Sequence, residues 1–439
     1  MVGFTIIWIG QMFSLLGTAM TQFAITIWAW GITQEVTALA LIGFFSFAPI
    51  ILMSPFAGAL VDRYNRKKVM MLADFAAGMP TIAILLLYVT NNLQIWHLFI
   101  TGAIAATFQA FHFPAYSAAI TMMVKKEQYG RASGMLSIAQ FAATIFAPVV
   151  AALLLTIVGI EGVLIIDIIT FTTAVLMLLL VYIPQPLISE AGRKGMGSIW
   201  KQSTYGFRYI YERPSLLGLQ LVFFCINLFG SFGNTVMTPM ILARTGDNKI
   251  ILGSVMSAGS VGGLVGSGIL ALWGGPKRKV HGILMGMMFV SLFGGLLMGF
   301  GRTPYIWTLA FFLSLLFLPI INGSNQAIWQ AKVAPDVQGR VFATRLLIAQ
   351  ISVPIAMLLA GPLADQVFEP SMMAGGSLEP LFSGLVGNGR GAGMALMLVI
   401  AGVLGILVSL GGYAMRAVRK AEDILPDHDA KPHVVQDEK

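Results

Sequence analysis

The sequence predicts an all-α polytopic membrane protein of twelve transmembrane helices, set out as two six-helix bundles in a parallel pseudo-repeat. Three observations predict it. Of the 439 residues, 57% are hydrophobic and only 10% charged, against about 25% charge in an ordinary soluble domain. Apolar windows of about 20 residues, long enough to cross the hydrocarbon core of a bilayer, recur twelve times. Short motifs of the first half return in the second at a nearly constant offset.

The windows fall at 4–30, 36–61, 69–90, 95–124, 129–158 and 161–183, then at 214–243, 250–274, 280–301, 305–332, 339–368 and 391–416. Hydrocarbon offers the backbone no hydrogen-bond partner, so only helices or closed barrels cross it, and these runs lack the period-2 alternation of barrel strands. The first window opens at Phe4 with no charged region and no small-residue cleavage site before it, so no signal peptide is read. Between the second and third windows, Asp62, Arg63, Arg66, Lys67 and Lys68 put five charges into seven positions. One charge at the bilayer centre costs about 2.5–3.5 kcal/mol even on the lenient insertion scale, so this cluster must be a loop at the membrane surface.

Twelve spans place both ends of the chain on one side, and the basic residues say which. Of the 27 Lys and Arg residues, all but Arg244, Lys249, Arg302 and Arg390 fall in segments on the side of the termini, the group Lys332, Arg340 and Arg345 among them. By the positive-inside rule that side is cytoplasmic, which predicts a multi-pass protein of the cell (inner) membrane. The expected organisation is an N-terminal six-helix bundle at 1–183, a cytoplasmic linker with an interfacial helix at 184–213, a C-terminal bundle at 214–418 and a disordered cytoplasmic tail at 419–439. The linker mixes aromatic and basic residues, as in Ile199-Trp200 and Tyr205 through Tyr211, which suits a helix lying in the interface. The loop 369–390 carries five glycines and is expected to be flexible on the outer face.

The net charge of +8 is dispersed through short loops rather than gathered in a patch, which argues against nucleic acid as partner. The single cysteine, Cys225, excludes a disulfide framework and a cysteine-based metal site and reads as a small packed side chain. His97 and His281 fall at span ends and His428 and His433 in the tail, without metal-ligand spacing. No metal and no cofactor is expected. No nucleophile or metal cluster sits at mid-depth as a membrane enzyme would need, and no output domain follows as a sensor would need. The chain is therefore not expected to be an enzyme.

The internal repeat has an offset of about 210 residues. Glu127 through Arg131 recurs as Asp336 through Arg340, and Ile138-Ala139-Gln140 recurs as Ile348-Ala349-Gln350. Gly58 through Val69 has a worn copy in Gly268 through Val280, which keeps the basic cluster but loses the Asp-Arg pair. Six is even, so the two units share one orientation and are related by an axis along the membrane normal. That is the build of an alternating-access carrier with its site between the halves.

Gly58-x-x-x-Asp62-Arg63-x-x-Arg66-Lys67-Lys68 resembles the loop 2–3 signature of the major facilitator superfamily (MFS). Ile7-Trp8-x-Gly10-Gln11-x-x-Ser14-Leu15, Phe111-His112-x-Pro114-Ala115, Pro148-x-Val150-Ala151-Ala152-Leu153 and Ile166-Asp167 resemble the bacterial macrolide-efflux branch of drug exporters. The resemblance implies the MFS fold and a secondary exporter of amphipathic small molecules, macrolide-like drugs foremost, with protons as coupling ion and a monomeric carrier in the lipid bilayer. A siderophore or lipid exporter, or an uncoupled facilitator, is the alternative. Two positions depart from the family: Ala105 stands where an arginine of helix 4 is often found, and Ala147-Pro148 stands for the Gly-Pro antiporter motif.

A gate is expected at Gly58, Asp62, Arg63, Arg66 and Lys67. The physical use of a carboxylate there is to accept from backbone N–H groups at a helix start. The resemblance names that partner as helix 11, near Gly339 and Arg340. Asp167 lies among isoleucines inside span 6, and a carboxylate so deep is paired, protonated or facing water. It is a candidate for coupling or for a structural hydrogen bond. His112, inside span 4, is either a second coupling candidate or a packed neutral ring. The resemblance puts the substrate cavity between spans 1, 4, 7 and 10, whose mid-depth polar and aromatic residues are Gln22, Gln109, Asn227, Asn234, Asn322, Asn325, Gln326 and Trp329. Glycines 259, 262, 263, 266 and 268 in span 8 predict close helix packing.

Overall fold

The computed structural model describes residues 2–63, 65–124, 128–183, 206–333 and 335–425. Among them the chain is helical, and twelve helices are long and apolar enough to cross a membrane. In the first half they are α1 (Val2–Thr33), α2 (Val36–Arg63), α3 (Arg66–Val89), α4 (Ile95–Met123), α5 (Tyr129–Ile157) and α6 (Gly159–Leu180). In the second they are α7 (Pro214–Thr245), α8 (Lys249–Trp273), α9 (Lys279–Phe300), α10 (Pro304–Lys332), α11 (Pro335–Leu363) and α12 (Ala392–Ala414). Every apolar window of the sequence became one of these helices.

Local chemistry sets the ends. The Asn65 side chain accepts from Lys68 N–H and the Asn248 side chain from Ile250 and Ile251 N–H, the ordinary N-cap role of asparagine. Gly246 and Gly274 close α7 and α8 with φ of 61° and 75°, a left-handed conformation that glycine adopts without strain. Lys67 Nζ donates to Leu179 O at 2.9 Å and Val181 O at 2.8 Å, satisfying carbonyls that the end of α6 leaves open.

The repeat is visible in the packing. Within the first half α1 packs on α5 and α6, α2 on α4, and α3 on α4 and α6. The second half reproduces each contact six helices on: α7 on α11 and α12, α8 on α10, and α9 on α10 and α12. The halves meet chiefly where α2 packs on α11 and α5 on α8, two pairings that the pseudo-twofold axis exchanges.

Small residues make the closest approaches. A Cβ at Gly262 would lie 2.2 Å from Phe312 O and one at Gly266 would lie 2.0 Å from Leu316 O, so α8 and α10 touch backbone to backbone. Gly259 meets the Phe311 ring on the same face, whereas Gly268 has nothing within 4 Å and Gly263 has only Leu315 O at 3.8 Å. The glycine stripe thus splits into a packing set and a free set.

Three expectations need correction. Arg345, counted with the basic residues on the side of the termini though inside the window 339–368, is the eleventh residue of α11 and lies within the helix. The segment 369–390 is not a featureless glycine loop, for it contains a helix at Glu379–Val386 and its Glu369 carboxylate accepts from Gly391 N–H at 3.2 Å and Met394 N–H at 3.0 Å, capping α12. The tail does not become irregular at 419: helical turns at Arg416–Arg419 and Ala421–Ile424 bury Val418 and Ala421, and the Glu422 carboxylate accepts from Lys279 and Val280 N–H at 3.1 and 2.9 Å. The interfacial helix expected in 184–213 lies largely outside the described residues, as does the tail beyond 425.

Candidate functional site

α3 is apolar on most of its length but carries Asp74 in its third turn. Three helices converge on that carboxylate. Gln11 of α1 donates from Nε2 to Asp74 Oδ2 at 2.8 Å. His112 of α4 places Nε2 2.9 Å from Asp74 Oδ1, with both side chains largely shielded from solvent at 14% and 11% exposure. One turn further along α4, the Tyr116 ring centre lies 5.9 Å from that of His112, and its buried hydroxyl has no hydrogen-bond partner. A carboxylate, an imidazole and a phenol therefore share one intramembrane site. Each of the three is a group that can hold or give up a proton, and the imidazole and carboxylate are in direct contact.

The sequence reading singled out His112 and missed Asp74, its partner. The same rule that marked Asp167, a carboxylate inside an apolar span, would have found it. What the rule lacks is the pairing, since Asp74 and His112 are neighbours only after α3 and α4 pack together.

Asp167 has a different setting. It is 2% exposed, and its carboxylate accepts from Thr18 Oγ1 at 3.2 Å and Thr81 Oγ1 at 3.0 Å. A Cβ on Gly17 would come within 2.9 Å of Asp167 Oδ1, so α1 lies directly over it. Asp167 joins α1, α3 and α6 as a buried polar node.

The residues expected to line a cavity do not share one environment. Gln22, Gln109, Asn234 and Asn322 are exposed, Asn227 is intermediate, and Asn325 and Trp329 are buried at 6% and 0% exposure. Gln326 Oε1 accepts from Arg345 Nη2 at 2.9 Å, tying α10 to α11. Of the expected gate, the backbone places Asp62 and Arg63 at the end of α2 and Arg66 at the start of α3. The side chains of Asp62, Arg63, Arg66 and Arg340 and the surroundings of Gly58 and Gly339 lie outside the described residues. Lys67 is engaged with the end of α6, within its own half.

A second cluster, which the sequence reading did not anticipate, closes the face opposite the chain termini, here called the distal face. The Asp365 carboxylate, just past α11, accepts from Val36 N–H at 2.9 Å and Thr37 N–H at 2.7 Å. It caps α2 across the boundary between the halves. Trp30 Nε1 donates to Asp247 Oδ1 at 2.7 Å, and Arg390 reaches Gln34 Oε1. Nearer mid-depth, Ser257 and Ser260 of α8 donate to Ile145 O and Thr144 O of α5. A Cβ on Gly253 would lie 2.7 Å from Pro148 O, so α5 and α8 approach closely at the Ala147-Pro148 motif. Gln34 and Asp247, both in cross-half bonds, hold positive φ of 53° and 63°, conformations that non-glycine residues keep only when their surroundings fix them.

The sequence profile of the Major Facilitator Superfamily matches residues 7–357. Macrolide efflux protein A of Streptococcus pyogenes is 27% identical over 370 residues, covering 83% of this chain and 90% of that protein. Macrolide efflux protein A of Enterococcus faecalis is 27% identical over 328 residues, covering 73% and 98%. Among solved structures, a bacterial homologue of the human lysosomal transporter Spinster, in an inward-facing and unoccupied conformation, superposes with a TM-score of 0.66 at 14% identity, over 93% of this chain and 97% of that one. The profile covers most of the chain. This protein belongs to the major facilitator superfamily of membrane transporters.

Proposed function

We propose that this transporter exports amphipathic, macrolide-like molecules by alternating access and that the Asp74–His112 pair is its proton-coupling site. The observation that carries the coupling is the intramembrane acid–imidazole contact at 2.9 Å, with Gln11 on the other carboxylate oxygen. A carboxylate held between a hydrogen-bond donor and a titratable ring changes charge when one proton moves, and a change of charge inside the membrane is what drives a carrier between states. Asp167 accepts from the Thr18 and Thr81 hydroxyls and, among the described residues, forms no ion pair, which favours its structural role. The substrate class rests on similarity to the macrolide efflux proteins and on the exposed amides Gln22, Gln109, Asn234 and Asn322, which can bind a bulky neutral or weakly basic solute.

Alternating access has a direct expression in the cross-half contacts. The described bonds between the halves run from mid-depth to the distal face. With both termini cytoplasmic, the orientation that the basic loops favour, the distal face is the external one and these bonds hold it together. Passage outward requires Asp365 to release the start of α2. At the opposite end of α2, Asp62 is the residue that the family resemblance pairs with the start of α11, which would give the α2–α11 pair a second carboxylate contact.

The experiment is drug accumulation in cells stripped of native pumps, with and without a protonophore. Wild-type protein should lower macrolide accumulation, and the protonophore should abolish the effect. Export unaffected by the protonophore removes proton coupling and leaves the uncoupled facilitator. Unchanged macrolide accumulation, with protein in the membrane, removes the substrate class.

A further inference from the structure

Arg345 carries a charge that nothing in the transport scheme uses. It sits where α7, α10 and α11 meet: Gln220 of α7 donates to the Arg345 carbonyl at 3.1 Å, and Arg345 Nη2 donates to Gln326 of α10. The guanidinium carbon lies 5.4 Å from the Trp329 ring centre and 5.4 Å from that of Phe342. Its other terminal nitrogen, Nη1, is closed off from solvent and has no hydrogen-bond partner. Among the described residues no carboxylate forms an ion pair with it.

A cation in an apolar bundle without a counter-charge is costly, and aromatic faces recover only about 2 kcal/mol of that cost. An arginine kept purely for structure would be paired. Two neighbouring groups are in the same condition. The Trp329 indole N–H and the Asn325 side-chain oxygen are buried and unpartnered, in residues at 0% and 6% exposure. Asn325 and Trp329 are one helical turn apart and share a face of α10. The amide of Asn325 can turn to offer its NH₂ instead of its oxygen. Two donors, Arg345 Nη1 and the Trp329 indole N–H, thus stand without acceptors beside one positive charge, the core of an anion site, with the Asn325 amide one turn away on the same face of α10.

We propose that Arg345, Trp329 and Asn325 form a recognition site for the anionic oxygen group, carboxylate or phosphate, of an amphipathic ligand. The anion supplies the missing counter-charge and accepts from Nη1 and the indole N–H. The ligand is amphipathic because the site is embedded: Phe342 stands beside it, and Trp329, Ile328 and Val341 belong to one buried apolar cluster. The anion comes either from a solute in transit or from a phospholipid headgroup reaching between α10 and α11. The site is separate from the Asp74–His112 pair, and its test reads binding without a gradient, so it stands or falls independently of the export mechanism.

The test uses the purified full-length protein in neutral lipid nanodiscs and reads the unfolding midpoint. Dodecanoate and dodecyl phosphate should raise it for the wild type, less for Trp329→Phe and Arg345→Lys, and not at all for Arg345→Gln. Dodecyltrimethylammonium, of equal chain length and opposite charge, should not raise it. Stabilisation by these soluble anions in phosphatidylcholine assigns the site to a solute. Stabilisation produced only when phosphatidylglycerol is added, and lost in the Arg345 variants, assigns it to a headgroup. If Arg345→Gln does not fold, the two milder variants carry the test. No response of the wild type to any anion, an equal response in the variants, or an equal response to the cation overturns the proposal.

Discussion

Asp74 and Asp167 are both carboxylates inside apolar helices, yet their neighbours give them opposite uses. Asp74 meets a titratable ring, and Asp167 meets two threonine hydroxyls. Asp74→Asn should therefore cut gradient-driven macrolide export by tenfold or more, about 1.4 kcal/mol of lost driving interaction, with the protein still present in the membrane. His112→Gln should flatten the dependence of export on external pH in the same assay. Asp167→Asn should instead leave protonophore-sensitive export in place and lower stability. A hydrogen bond to a charged group contributes about 1.5–3 kcal/mol, so a reduced midpoint in thermal unfolding is the expected readout. The sequence marked Asp167 and His112 as out of place in hydrocarbon, while Asp74 went unmarked. It did not show which was paired with what, because Gln11, Asp74 and His112 lie on three different helices.

At the scale of helices, the informative pairs are α8 with α10 and α2 with α11. Gly266→Ala should reduce the yield of folded protein sharply, since its methyl group would overlap the Leu316 carbonyl, whereas Gly268→Ala, with open space around it, should be neutral. Size-exclusion profiles of the two variants decide the matter. The α2–α11 contact should be a switch. Replacing an N-cap carboxylate by alanine costs about 0.5–2 kcal/mol, and the Asp365 cap exists only while the distal face is closed. Asp365→Ala should thus shift the balance toward the externally open state by roughly 2- to 30-fold. An introduced cysteine at Ala40, which is buried beside Gly361, should then react faster with an impermeant maleimide in a Cys225→Ser background. The repeat was legible at this scale as three short matches, and its helix pairings reproduced one another across the halves. The distal cluster was not legible: Trp30, Gln34, Asp247, Asp365 and Arg390 have no common spacing and come from distant parts of the chain.

For the whole molecule, orientation is the property on which every mechanistic statement depends. A cysteine at the exposed Asn388 should be labelled on intact cells and one at the exposed Lys420 only after permeabilisation; the reverse pattern would turn the transporter over. The number of spans, their helical form and the duplication were written in the sequence, because the bilayer imposes length, hydropathy and a satisfied backbone on each segment separately. Arg345 shows where such one-dimensional reasoning stops: its window put it in span 11, but only packing set its charge beside aromatic rings. Helix pairing alone decided that Asp74 faces His112, that Asp365 caps α2 and that Arg345 has no counter-ion among the described residues. Hydropathy is a property of one segment, whereas a charge inside a membrane takes its meaning from the neighbours that packing brings to it.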